Sequence, residues 1–92
     1  MLFMVIERFR SGDAEAVAAR FRAQGRMLPD GLVYRDSWMD PSTMRCFQVV
    51  ETANPALLRV WTDRWSDLVD FEIVPVVPSV QFWASPRERS WN

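Results

Sequence analysis

Histidine and lysine are both missing from these 92 residues, and cysteine occurs once, as Cys46. Without histidine the chain lacks the usual general base near neutral pH and the commonest protein ligand of zinc and haem iron. A single cysteine allows no disulfide within the chain and no thiolate metal cluster within one copy. It fits a reducing compartment, so a cytoplasmic location is expected. The five methionines have no metal-site spacing, and neither a metal nor a cofactor is expected. All eleven cations are arginine, an imbalance that reads as codon bias rather than chemistry.

Long apolar runs are missing as well. Leu2 to Ile6 is too short for the core of a signal peptide, has no basic residue before it, and runs straight into Glu7 and Arg8. Nothing approaches the ~20 apolar residues of a membrane-spanning helix, so no membrane association is expected. The net charge is −1, with no basic patch. RNA-recognition modules of similar topology need such a patch and exposed aromatics in two central strands, so nucleic acid is excluded as a partner.

Large side chains are what the chain has in quantity: five tryptophans and six phenylalanines within a 49% hydrophobic composition. One domain of this length buries only roughly 60–65% of its unfolded surface and is marginal alone. Its core holds some of these rings, and a self-association surface is the natural home for the rest. A homodimer is therefore expected.

Met1 to Phe9 is nearly continuous apolar for six residues, as expected of a strand covered on both faces. Phe3, Val5, Glu7 and Phe9 share one face, and Leu2, Met4, Ile6 and Arg8 the other. Ser11-Gly12-Asp13 supplies a break and a cap. A first helix then points Ala14, Val17, Ala18 and Phe21, with Leu28 beyond it, towards the core and stops near Gly25. Leu28-Pro29-Asp30-Gly31 is a turn by composition. Strands over Leu32–Met39 and Met44–Glu51 flank Asp40-Pro41-Ser42-Thr43, which favours a tight type I turn and a hairpin.

The stretch from Glu51 to Val77 frames the rest. Asn54 is placed to cap a helix and Pro55 to open it. Leu57, Leu58, Trp61, Arg64, Trp65 and Leu68 recur at steps of three and four, and Arg59, Thr62, Asp63 and Ser66 fall on the opposite side. A fourth strand runs over Phe71–Val77, where Pro75 calls for an edge or a bulge. Val80 to Trp83 reads as its continuation past a kink at Pro78. The domain is placed at residues 1–84, and Ser85 to Asn92 reads as a polar tail or an arm onto a partner. The order is β-α-β-β-α-β, an α+β ferredoxin-like arrangement with an antiparallel sheet and both helices on one face.

Trp38, Phe47-Gln48-Val49-Val50-Glu51-Thr52, Trp61, Trp65-Ser66-Asp67, Phe71 and Pro75-Val76 together resemble domain-of-unknown-function family 3303, within the dimeric α/β-barrel superfamily. The resemblance covers roughly residues 1 to 78. It implies a ferredoxin-like protomer whose sheet meets a second copy in a shared barrel, and it implies no function. More distant relatives include antibiotic-biosynthesis and haem-degrading monooxygenases, with a pocket between helices and sheet. The haem-degrading ones use a histidine ligand that this chain does not have.

Five residues form the candidate ligand site: Glu7, Tyr34, Gln48, Trp61 and Trp65. A buried Glu7 would have a raised pKa and could act as a base; near a strand end it could equally be solvated or paired with an arginine. Trp61 and Trp65 can line an aromatic pocket or simply pack on the sheet. Their N–H groups need partners, for which Gln48, Tyr34 or a backbone carbonyl are candidates. Gln48 can orient a ligand or satisfy a tryptophan. Asp67 is expected to cap the turn after the second helix, Glu51 to pair with an arginine at a dimer contact, and Cys46 to be an apolar core residue.

The expected function is a small homodimer that binds a small apolar or aromatic ligand between helices and sheet. The alternatives are a cofactor-free monooxygenase-like enzyme, a ligand-free structural or regulatory dimer, and an accessory module docking through the tail around Trp91.

Overall fold

A computed structural model describes residues 1–84. The tail expected over Ser85–Asn92, including Trp91, lies outside the described residues. Four strands, β1 (Leu2–Phe9), β2 (Val33–Asp40), β3 (Arg45–Glu51) and β4 (Val69–Val76), form one antiparallel sheet in the order β2-β3-β1-β4. Helix α1 (Ala14–Gln24) follows β1, α2 (Ala56–Asp63) follows β3, and a short α3 (Ser79–Trp83) follows β4. The chain is thus α+β, and its strand order is consistent with the ferredoxin-like arrangement.

The apolar run at the start of the chain occupies a central strand, between β3 and β4. Its odd-numbered side chains face the helices: Val5 is 0% exposed and Phe3 is buried with it. They join Val50, Leu58, Trp61, Trp65, Val69 and Leu32 in the core. Val5 sits opposite Gln48 and Ile73, and Glu7 opposite Cys46 and Phe71, so all these residues share the inner face.

Local chemistry explains the ends of the elements. Asp13 caps α1 by accepting from the Ala16 N–H at 3.1 Å. Gly25 ends it at φ 68°, a conformation that costs glycine little, with its N–H on Phe21 O. Asn54 Oδ1 accepts from Ala56 N at 3.2 Å, and Asn54 O from Leu57 N, so α2 opens at Asn54-Pro55 as expected. At Gly31, φ is +92° and a Cβ would stand 3.0 Å from Leu57 Cδ1, which keeps this turn against α2.

Several expectations need correction. Val80–Trp83 belongs to α3, not to a continued strand. Strand β4 begins at Val69, two residues earlier than expected, because Val69 drops into the core. The expected hairpin is present, and its loop lies one residue further along: four residues separate Asp40 from Arg45, and Met44, placed in the strand by the sequence reading, takes φ 54° instead. Asp40 holds this loop by accepting from the Ser42 and Thr43 hydroxyls. Those bonds, Thr43's above all, keep its carboxyl well below the usual range. Thr62, assigned to the polar side of α2, is buried and donates to Arg59 O. Glu51 pairs with Arg35 on the neighbouring strand of its own chain. Pro75 does lie on an edge strand, where its missing N–H breaks no interior ladder.

Candidate functional site

The two helices meet the sheet differently. Helix α2 buries Leu58, Trp61 and Thr62, whereas α1 buries no residue fully. Val17 and Ala18 stay half-buried and Phe21 is 44% exposed. Side chains expected to fill the core instead line a cleft of about 410 Å³ between α1, the tryptophans in and just after α2, and the sheet. Its apolar walls are Phe9, Val17, Phe21, Trp61 and Trp65, and its polar groups are Glu7, Gln48, Arg22 and Arg26, with Cys46 beside them.

The edge of the cleft is tied together through the segment after α1. Trp61 and Trp65 both donate their Nε1–H to the carbonyl of Arg26, each at 2.9 Å. Arg64 donates to the carbonyl of Met27 at 2.7 Å, and Met27 itself has φ 58°. The backbone carbonyl anticipated as a tryptophan partner is thus Arg26's, and neither Gln48 nor Tyr34 serves. A second tie runs along the surface. Arg20 of α1 makes two 2.6 Å bonds to Asp67 and lies 5.6 Å over the Trp65 ring. Asp67, in the turn after α2, therefore ties that turn to α1, and the Arg20 bonds lower its pKa. These ties fix α1 over the sheet without filling the space below it.

Three polar side chains run in line across the inner face. Glu7 accepts from Gln48 Nε2, and Gln48 Oε1 accepts from Arg26 Nε at 3.2 Å. Gln48 faces Val5 directly, so it reaches Glu7 as a diagonal cross-strand neighbour. The Arg26 guanidinium lies 3.5 Å over the Tyr34 ring and 5.2 Å from Phe21. Burial pushes the Glu7 carboxyl up from 4.5 to about 7, against the opposing pull of the Gln48 bond and the Arg26 charge. Burial, helped by the Glu7 charge, pushes the Cys46 thiol up to about 11, so this cysteine is a poor nucleophile.

Of the five residues singled out from the sequence, the cleft brings together Glu7, Gln48, Trp61 and Trp65. Tyr34 does not line it: its ring supports Arg26, and its hydroxyl bonds Ser37 at 2.7 Å. Sequence reasoning missed Arg26, which lies outside every periodic element, and Phe21, Val17 and Cys46, which it assigned to the core. The one available signal for Arg26 was its place just past the Gly25 stop, opposite the two tryptophans. Among the described residues no group of three or more acids or cysteines is placed to hold a metal, and no helix is long and apolar enough to cross a membrane.

Fold and site together define an α+β domain with a four-stranded antiparallel sheet, two longer helices over its inner face, and an aromatic cleft containing one buried acid. A family model described as Domain of unknown function (DUF3303) matches residues 1–87, and the chain belongs to that family. No curated protein and no solved structure matches it.

Proposed function

We propose that this protein is a homodimer that binds a small apolar or aromatic molecule in the cleft between its helices and its sheet. The observation that carries this reading is the cleft itself. A volume of about 410 Å³ walled by phenylalanine and tryptophan, with a few convergent polar groups, is what a small-molecule site requires. Glu7, Gln48, Trp61 and Trp65 are the contact residues in this reading, joined by Phe21 and Arg26. The alternative of a cofactor-free monooxygenase-like enzyme draws on the same cleft, and a Glu7 carboxyl near 7 gives it a proton acceptor. A cytoplasmic location is part of the proposal, supported by the single unpaired cysteine.

The dimer part rests on the outer face of the sheet, opposite the face that packs against α1 and α2, with Gln81 of α3 beside its Glu51–Leu2–Val76 end. Register sets four rows across it: Val33–Glu51–Leu2–Val76, Asp36–Val49–Met4–Val74, Trp38–Phe47–Ile6–Glu72 and Asp40–Arg45–Arg8–Asp70. The first three are mostly apolar, with Trp38 54% and Val33 49% exposed. The last is two acids and two arginines, balanced in charge, so a second copy can meet it without net repulsion. Four strands of seven or eight residues present roughly 500 Å² on one face, the right order for half of a modest stable interface. The shared barrel of the wider superfamily would form this way.

Native mass spectrometry of freshly purified protein, before and after gentle denaturation, tests both parts. A dimer carrying a reproducible extra mass that denaturation releases is the expected result. A clean dimer with nothing bound removes support from the ligand and moves it to a structural or regulatory dimer. A clean monomer overturns the shared barrel.

A further inference from the structure

This inference rests on the cleft reading above and narrows it to one kind of occupant. Glu7 is the only carboxylate among the residues lining the cleft. One of its oxygens, Oε2, is taken by Gln48; the other, Oε1, has no hydrogen-bond partner among the described residues. No unpaired side-chain oxygen or nitrogen is sealed off from solvent there, so Oε1 is reached from the cleft. The remaining polar capacity nearby is largely spent. Gln48 bridges Glu7 and Arg26, and both indole N–H groups bond the Arg26 carbonyl. The cleft therefore presents an aromatic surface and one free acceptor, with the guanidinium N–H groups of Arg22 and Arg26 as donors on its α1 side.

The groups around that acceptor decide what can approach it. Cys46 on β3 and Phe71 on β4 stand opposite Glu7, while α2 contributes Trp61 and the turn after it Trp65. Arg26 follows α1, and Arg22, in its last turn, also lines the cleft. A ligand ammonium would meet these two arginines, and a ligand anion beside Oε1 would meet the Glu7 carboxylate. A ligand with no donor would strip Oε1 of water and return nothing. We propose that the cleft selects a neutral aromatic molecule carrying a single O–H or N–H, which it donates to Oε1 of Glu7 while its rings lie against Phe21, Trp61 and Trp65.

The test is calorimetric titration of the full chain with 2-naphthol and with 2-methoxynaphthalene, which share rings and differ in the donor. At pH 8, naphthol should bind about tenfold or more tightly than its ether, the size of effect that one charge-assisted hydrogen bond supplies. At pH 5.5 the protonated carboxyl offers the ether a proton of its own, and the preference should fall below about threefold. In Glu7→Leu the preference should vanish while the ether still binds. If both compounds bind the wild type equally at pH 8, the donor requirement is wrong and the cleft reading stands. If neither binds, the cleft reading itself fails. A preference that survives in Glu7→Leu, or does not change with pH in the wild type, places the acceptor elsewhere and overturns the inference. The pH arm uses unmodified protein and so remains decisive if the variant does not fold.

Discussion

The two longer helices lie on the same face of one sheet and do opposite work. Helix α2 places Leu58, Trp61 and Thr62 in the core, with Trp61 only 1% exposed. Helix α1, three residues longer, buries nothing fully and is held by the Arg20–Asp67 clamp and the cap at Asp13. The sequence reasons are visible. Leucine and tryptophan at steps of three and four carry enough volume to reach the sheet, whereas α1 turns alanines and one valine towards it. Phe21, the one large residue on that side, lies at the cleft wall instead of plugging it. A small domain with little core to spare leaves one side unfilled, and that side contains the only buried carboxylate among the described residues, Glu7.

The comparison is broken most directly at Trp61. Trp61→Ala should cost about 3–5 kcal/mol in urea unfolding, enough to unfold most of a marginal domain, because it opens a core cavity and removes one of the two indole bonds to the Arg26 carbonyl. Next comes Glu7. Its folded pKa of about 7 is raised above 4.5, so the folded state holds the proton more tightly than the unfolded chain. The stability linked to this proton is complete below pH 4.5 and is lost as pH rises through about 7, a fall of about 3 kcal/mol. Unfolding midpoints measured from pH 4.5 to pH 8.5 should show that decline in the wild type and a flatter profile in Glu7→Gln. A wild-type profile rising over this window would mean that Glu7 is not buried against an apolar wall.

On the α1 side, Phe21→Ala should cost less than about 1 kcal/mol, since the ring is already half in water. A loss as large as that of Trp61→Ala would show the cleft to be closed in solution and would erase the contrast between the helices. The smallest change is expected of Arg20→Ala. Its partner Asp67 is exposed, so the midpoint should move only slightly and the difference should shrink further in high salt. Deleting residues 85–92 should leave the proposed dimer intact in analytical ultracentrifugation, whereas Trp38→Glu, which puts a charge into the apolar Trp38–Phe47–Ile6 row of the outer face, should dissociate it. A monomeric truncation would move the interface into the tail.

Much of this molecule could be read from residue order. Period-two alternation in β1, the cap at Asn54-Pro55, the stop at Gly25 and the turn residues at 28–31 are local instructions. They depend on neighbours within a turn or two, and each element they specify is present. The reading of Val80–Trp83 as strand fails for a local reason too: four residues, three of them apolar, fit either period, and a helix forms after the Pro78 break. The site was legible only in part. The composition of β1 and β3 offered Glu7 and Gln48, and helical spacing offered the two tryptophans. Their partnership with Arg26, the withdrawal of Tyr34 to a supporting position, and the open space beneath α1 came only with tertiary structure. A void has no residue of its own. It arises because the alanines and the valine that α1 turns towards the sheet are too small to fill the space that the tryptophans on the α2 side leave open.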